Sequence, residues 1–222
     1  MIVAEPKPIK ELLEMVKDFN RILVVGCKGC VTVCNVGGAK EVAILASSIR
    51  ISRKKMGRKI EVEEHTLERQ CDPEYVDELK DMIGDYEAVI SVACGVGPQF
   101  LSERYPSSRI FPGVNTQFMG GAEEHGIWSE RCAGCGTCLV HHFGGLCPIA
   151  RCSKSLLNGP CGGSSNGKCE ISKDVECIWD IIVRKMMEQD RLNELIEFKP
   201  PKSWITARDG GPRRMIREEL VK

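Results

Sequence analysis

The sequence predicts an α/β fold, in which a small, doubly wound parallel-sheet domain precedes a cysteine-rich, metal-organised domain with a C-terminal helix and tail. Short apolar runs alternate with segments of helical periodicity over residues 1–119. Eight of the 13 cysteines then fall between Cys132 and Cys177, where glycine and proline are frequent and apolar periodicity is weak. Such a stretch needs a bound metal to organise it.

The first domain, residues 1–119, is predicted to alternate helices and strands. Apolar residues recur at helical spacing over 8–19, and the unbroken apolar run at 22–25 is typical of a buried parallel strand. The remaining predicted elements are a helix from 37 to about 58, a strand at 60–63, a helix over 72–84, a strand at 88–93 and a short strand at 109–111. This alternation is typical of a doubly wound parallel sheet.

Residues 120–198 form the predicted cysteine-rich domain, with helical spacing returning over 175–197. Residues 199–222 follow as a predicted basic docking tail, because they carry seven Lys or Arg against three acids and several prolines and glycines. Such a tail could hold a catalytic partner or an acidic electron donor.

Composition excludes several classes of function. Lys plus Arg and Asp plus Glu both number 31, so no net field draws the chain to nucleic acid. No apolar run reaches the roughly 18 residues of a membrane span. The N-terminus has no basic-then-apolar signal pattern, so we expect a cytoplasmic protein. Thirteen cysteines in such a protein indicate metal binding more than a disulfide framework.

The first cysteine set follows the predicted strands of the first domain. Cys27, Cys30 and Cys34 come after the first strand, Cys71 after the second and Cys94 after the third. Because parallel strands end at one edge of a sheet, we expect these thiols to converge. The trio with either Cys71 or Cys94 would supply the four thiolates of a [4Fe–4S] cluster. A thioredoxin-type redox pair is the alternative for the first two cysteines, whereas the nearby glycines miss the spacing of a dinucleotide fingerprint.

The second set is the strongest signal in the chain. Cys132, Cys135 and Cys138 are separated by two residues each, and Cys147 is followed by proline, as in ferredoxins. Structural zinc prefers two separated pairs of cysteines, so this run favours an iron–sulfur cluster. Eight residues separate Cys138 from Cys147 where ferredoxins have three, so a later cysteine could be the fourth ligand.

The third set is Cys152, Cys161, Cys169 and Cys177. It could hold another cluster, hold zinc, or complete the second set, and spacing alone does not decide between these. We expect the first three to be metal ligands and Cys177, at the start of a predicted helix, to be unligated.

Acid–base and nucleophilic machinery is missing from the sequence. We find no Ser-His-Asp or Cys-His arrangement, no phosphate-binding loop and no paired-carboxylate signature. Cysteine clusters without such groups predict electron transfer in a non-catalytic subunit. The alternatives are a zinc-binding scaffold that only stabilises a catalytic subunit, and a self-sufficient enzyme that uses an exposed cluster as a Lewis acid.

The motifs resemble the MetV-type iron–sulfur subunit of bacterial methylenetetrahydrofolate reductases. The resemblance covers nearly the whole chain, and the segments that carry it are 26–34, 37–42, 93–97, 131–138, 147–154 and 167–170. The stretch Asn158-Gly159-Pro160-Cys161-Gly162-Gly163 resembles the family's C-terminal domain specifically.

This resemblance implies a heteromeric complex with a flavin-containing TIM-barrel subunit that binds folate and reduces 5,10-methylenetetrahydrofolate to 5-methyltetrahydrofolate in one-carbon metabolism. It implies two or more [4Fe–4S] clusters here, with zinc as a further cofactor proposed for the family and the flavin on the partner. Reduced ferredoxin, or a hydrogenase- or heterodisulfide-reductase-like module, is the implied electron donor.

Overall fold

The computed structural model describes residues 1–220, and the chain divides into two compact units, Met1–Trp128 and Ser129–Lys222. The predicted end of the first domain, residue 119, lies within the first strand of a hairpin that spans residues 114–130, and the first unit ends later, at Trp128. Residues 221 and 222 of the predicted tail lie outside the described residues. Within residues 1–220, no helix is both long enough and apolar enough to cross a bilayer.

A four-stranded parallel sheet forms the centre of the first unit. Its strands are β2 (Arg21–Cys27), β3 (Glu61–Leu67), β4 (Ala88–Val92) and β5 (Ile110–Pro112), in the order β3-β2-β4-β5. All neighbouring pairs are parallel. The predicted parallel α/β fold is therefore confirmed, and strand β2 lies inside the sheet with six buried residues in succession.

Helices cover both faces of this sheet. One core packs alternate β2 residues such as Val24 against α3 (Ala39–Lys55) and α1 (Ile9–Met15). The intervening residues, such as Val25, pack in a second core with α4 (Pro73–Val76) and α5 (Val96–Arg104). Because side chains alternate across a strand, the apolar run of β2 supplies both cores.

A second sheet of three strands, in the order β1-β6-β7, also belongs mainly to the first unit. Strand β1 (Ile2–Pro6) pairs antiparallel with β6 (Val114–Glu124), with a register shift between Val3 and Ala4. Strand β7 (Ile127–Glu130) follows β6 after two residues, and Gly126 takes the left-handed conformation at φ 85° that this tight turn requires.

Several elements of the first unit differ from the sequence-based expectation. The helix predicted over 72–84 is only the single turn α4, followed by 3-10 turns at Asp77–Leu79 and Ile83–Asp85. Strands β1, β6 and β7 and helix α5 were not predicted. Their apolar signal is weak because α5 buries only Gly97 and Leu101, and β6 is mostly exposed.

The second unit consists mainly of loops. A short 3-10 turn lies at Val140–Phe143, and the α-helices are α6 (Pro148–Arg151) and α7 (Ile178–Glu188). Short 3-10 turns follow at Leu192–Ile196, Arg208–Gly210 and Glu218–Leu220. The helix predicted over 175–197 is thus shorter than expected and continues only as the first of these turns.

A small hydrocarbon core nevertheless exists in this unit. Residues Phe143, Trp179, Ile182 and Met186 are buried together with Ile178. The rings of Phe143 and Trp179 meet edge to face with centroids 5.6 Å apart, and Trp179 Nε1 donates to the carbonyl of Leu156. Helix α7 therefore anchors part of the cysteine-rich loops without a metal, and the predicted organising role of a metal stays a prediction.

Candidate metal centres

The first cysteine set lies at the carboxyl end of β2. Cys27 is the last residue of that strand, and the helical turn α2 (Cys30–Val33) brings Cys30 and Cys34 back towards it. Cys27 and Cys34 are buried and Cys30 is half-buried. The Thr32 hydroxyl donates to the carbonyl of Cys27 at 2.7 Å, which closes the loop on itself. The three thiols are thereby confined to one compact turn above the sheet.

Close packing of this loop explains the neighbouring glycines. A Cβ at Gly37 would collide with the carbonyl oxygen of Val92 and the side chain of Val31. A Cβ at Gly26 would come within 2.6 Å of Val42 Cγ2. The glycines therefore let the cysteine loop approach the sheet and α3, in place of the phosphate-binding role that a dinucleotide fingerprint would give them.

Cys94 follows β4, the strand beside β2, at the place where the strand order reverses. Burial raises the pKa of the Cys94 thiol, an effect opposed by a hydrogen bond from the backbone amide of Val96 and increased by the nearby thiols of Cys27 and Cys30. These three cysteines are thus close enough to influence one another. In open parallel sheets this crevice is where ligands bind.

Cys71 reaches the same edge by a different route. The preceding residue, Gln70, is fully buried and its amide donates to the carbonyls of Val25 and Gly26, both at 2.9 Å. Ser91 donates to the Gln70 side-chain oxygen at 2.6 Å. Gln70 therefore holds its loop against the ends of β2 and β4, although the Cys71 side chain itself is exposed. This role of Gln70 was not predicted, because a lone glutamine belongs to no motif.

The second set occupies a loop with little regular structure. Cys132 and Cys138 are exposed and Cys135 is half-buried. Gly134 and Gly136 both have positive φ, and the Gly134 amide donates to Cys132 Sγ at 3.4 Å.

The predicted docking tail binds this loop of its own chain. Arg213 donates to the carbonyl of Gly134 at 2.6 Å, and Lys202 donates to that of Thr137 at 2.8 Å. The Thr206 hydroxyl donates to the carbonyl of Cys135 at 3.1 Å. Tail residues therefore fix the backbone of the Cys132–Cys138 loop, an internal role that the sequence analysis did not foresee.

Cys147, the expected fourth member of this set, begins helix α6. Its Sγ accepts a hydrogen bond from the Ala150 amide at 3.4 Å, and Pro148 occupies the first helical position. The proline after the cysteine thus starts a helical turn that points an amide at the sulfur.

The third set lines a single small pocket. Cys152, Cys161, Cys169 and Cys177 all contribute to its wall, and its volume is about 20 Å³. Cys177, which was expected to be unligated, therefore shares the pocket with the other three. A hydrogen bond from the Ile171 amide, opposed by partial burial, holds the pKa of Cys169 below its usual range.

Glu170 lies at the edge of this pocket. Its Oε2 accepts from Lys154 Nζ at 2.8 Å and from the Cys161 thiol at 3.1 Å. These two hydrogen bonds, with Lys154 first, hold the pKa of Glu170 below the ordinary value of a carboxyl group. The pocket thus pairs its thiols with one salt bridge.

Across residues 1–220, no three Cys, His, Asp or Glu side chains already form a group that could hold a metal ion. The donor chemistry still fits thiolate-bound metals, because sulfur is a soft ligand. The sulfurs of Cys132, Cys147 and Cys161 each accept a backbone amide. The individual ligand assignments from the sequence stay predictions.

Comparison with known proteins adds one finding on ancestry. Residues 111–205 match a family described as the methylene-tetrahydrofolate reductase C terminal. The match supports a relation to methylenetetrahydrofolate reductases. The matched range includes the second and third cysteine sets and most of the second unit. It leaves strands β2, β3 and β4 and the first cysteine set outside.

No curated protein matches the chain. Among solved structures, one similar chain is a putative branched-chain amino acid ABC transporter from Rhodospirillum rubrum, at 14% identity and a TM-score of 0.30. The similarity covers 47% of this chain and 28% of that one, and a likeness this weak indicates nothing about function.

Proposed function

We propose that this chain is the iron–sulfur electron-transfer subunit of a methylenetetrahydrofolate reductase complex. In this proposal it passes electrons to the flavin of a TIM-barrel partner, which reduces 5,10-methylenetetrahydrofolate to 5-methyltetrahydrofolate. The observation that carries it is the gathering of Cys27, Cys30 and Cys94 at the strand-order reversal between β2 and β4. The family match over residues 111–205 supports the relation to the reductase.

The first site would be held by Cys27, Cys30 and Cys34 with either Cys94 or Cys71. A bound [4Fe–4S] cluster supplies one-electron transfer, because its iron and sulfide atoms share the charge. The protein's contribution is to fix the thiolates on a loop that glycines and Gln70 hold against the sheet. Because only the thiolate binds metal, Cys94, whose pKa burial raises, would bind metal with release of its thiol proton.

The second site would be held by Cys132, Cys135, Cys138 and Cys147. Backbone carbonyls of the Cys132–Cys138 loop accept hydrogen bonds from Arg213, Lys202 and Thr206, which help to position that loop. Positive charge beside a cluster also favours the reduced, more negative state. The tail residues therefore both position the loop and bias it towards accepting an electron.

The proposed partners follow from this electron path. A flavin-bearing catalytic subunit accepts electrons, and ferredoxin or a hydrogenase- or heterodisulfide-reductase-like module delivers them in the cytoplasm. Exposed apolar residues of the tail, Ile205, Met215 and Ile216, offer a contact surface of the kind that protein partners cover. The chain itself carries no substrate chemistry in this proposal.

The test is metal analysis of the full chain purified without oxygen. Two clusters would give about eight irons and eight sulfides per chain, with paramagnetic resonance signals after reduction by dithionite. Cys27→Ser should lose the iron of one cluster. Val33→Ser, a change at an exposed residue of the same loop, should keep it.

The proposal fails if the anaerobic chain holds no iron. Zinc without iron would instead support the scaffold that only stabilises a catalytic partner. Equal iron in Cys27→Ser and Val33→Ser would show that the first cysteine set holds no cluster.

A further inference from the structure

A cavity of about 420 Å³ opens in the first unit beside helices α1 and α3. Its wall is built from the end of β1, helix α1, the loop before α3 and the first part of α3. Val92, the last residue of β4, and Gly113, which follows β5, complete it. The cavity therefore lies at the carboxyl end of the parallel sheet, where ligands bind in open α/β folds.

This cavity shares part of its wall with the loops of the first cysteine set. Val36 follows Cys34 by two residues, and Val92 precedes Cys94 by two. Because two residues of extended chain span at most about 7 Å, that part of the wall lies close to the cysteines. A molecule in the cavity would thus contact the segments that position the first set.

Most of the wall is apolar. Ile9, Leu12, Val36, Ile44 and Leu45 line the cavity, and Ile44 is 57% exposed. Removal of apolar surface from water is favourable, and a concave wall covers more of a small molecule than a flat surface does. The wall therefore favours an occupant with a hydrocarbon body.

Charges at the cavity are balanced. The side chain of Lys7 is only 14% exposed, and its Nζ donates to Glu11 Oε1 at 2.5 Å. Lys40 and Glu41 add one charge of each sign to the wall, so a charged ligand gains no net attraction there. An ammonium group has three N–H donors and the bond to Glu11 uses one, so Lys7 can also donate to an uncharged oxygen.

We propose that this cavity binds a small, uncharged and largely apolar carbonyl compound. Its volume is within the range of roughly 300–1,000 Å³ that small-molecule sites have. The apolar wall covers the hydrocarbon body of the ligand, and Lys7 donates to the carbonyl oxygen. This binding site goes beyond the proposed electron transfer and does not depend on it.

Benzophenone is a suitable probe, because it consists of two apolar rings joined by a carbonyl and attaches to nearby C–H groups under ultraviolet light. Equilibrium dialysis with the full anaerobic chain should show one saturable site. Mass mapping after irradiation should place the attached probe within residues 6–12 or 35–48. Diphenylmethane, which lacks the oxygen, should bind about ten-fold more weakly, and Lys7→Met should remove most of that difference.

Ile44→Trp and Ile51→Trp form a matched pair, because both isoleucines lie on α3 and are 57% exposed, and Ile44 lines the cavity whereas Ile51 does not. The larger side chain of Ile44→Trp occupies space that the probe needs, so benzophenone should bind about ten-fold more weakly or less. Ile51→Trp should bind it as wild type does. Both variants should keep the iron content of wild type.

Binding that does not saturate, attachment outside the two mapped segments, or equal affinity of the two tryptophan variants overturns the inference. An undiminished preference for benzophenone over diphenylmethane in Lys7→Met overturns the assigned role of Lys7. The proposed function is judged by iron in Cys27→Ser, so either proposal can fail alone.

Discussion

The two units present the same residue type on very different supports. In the first unit, Cys27 and Cys34 are buried in a loop that rests on a four-stranded sheet with a core on each face. In the second, Cys132, Cys138 and Cys161 are exposed on loops that surround a core of five buried residues. Packing therefore positions the first set, whereas the other two sets have much less hydrocarbon packing beneath them.

The second unit partly compensates through its backbone. Residues of the tail hydrogen-bond to carbonyls of the Cys132–Cys138 loop, and a short hairpin joins Cys169 to Cys177. Hydrogen bonds of this exposed kind contribute about 1 kcal/mol each, much less than a buried core. The difference between the units should thus appear whenever bound metal is removed.

Metal removal is expected to have the largest effect. A strong chelator and a thiol reductant should raise proteolytic cleavage within residues 129–220 by about ten-fold or more, because the proposed metal would no longer hold the cysteine loops of that unit together. Residues 1–128 should stay resistant, since the sheet and its two hydrocarbon cores hold that unit together even when the first cysteine set carries no cluster. Limited proteolysis with mass mapping of the fragments measures both. Equal cleavage of the two units would break the comparison.

Next in size is Gly37→Ala. The added Cβ would collide with the Val92 carbonyl and Val31, so the cysteine loop must shift, at a cost of about 2–4 kcal/mol of unfolding free energy. Gly84→Ala is the matched control, because nothing lies within 4 Å of its Cβ, and it should change stability by about 0.5 kcal/mol or less. Urea unfolding followed by circular dichroism compares them.

The amides of Gln70 and Asn158 allow a direct comparison between units, since each bridges backbone groups across a loop. Gln70→Ala should cost about 2–3 kcal/mol, because buried carbonyls of β2 lose their donor. Asn158 binds both the amide and the carbonyl of Lys199 in a half-buried site, and its replacement by Ala should cost about 1 kcal/mol. Urea unfolding of each variant measures this, and a larger loss for Asn158→Ala would contradict the difference in support.

Thiol titration is the smallest and most local effect. The thiolate is the reactive form, so a raised pKa moves alkylation to higher pH and a lowered pKa moves it to lower pH. In the metal-free, reduced chain, Cys94 should therefore reach half-maximal iodoacetamide reaction at a higher pH than Cys169. Peptide mass spectrometry across a pH series gives both midpoints, and the reverse order would be contrary to the hydrogen bonds and burial described.

The sequence pattern predicted elements best where they bury many apolar residues. The apolar run of β2 and the helical stripe of α3 are strong signals, and both elements lie where they were predicted. Helix α5 and strand β6 were missed because each buries few residues, and tertiary pairing rather than propensity stabilises them. The segment 72–84, predicted to be one helix, consists of short turns. Its apolar residues still pack into one core, although no continuous series of helical hydrogen bonds joins the turns.

The sequence by itself determined the parallel α/β class and the grouping of cysteines, because strand periodicity and cysteine spacing are local properties. Only the tertiary structure placed Cys177 in the pocket of the third set and showed that Gln70 supports the first set. It also showed that the basic tail binds the Cys132–Cys138 loop of the same chain. These features join residues tens of positions apart. Their contacts depend on how the chain folds back on itself, which no local pattern records.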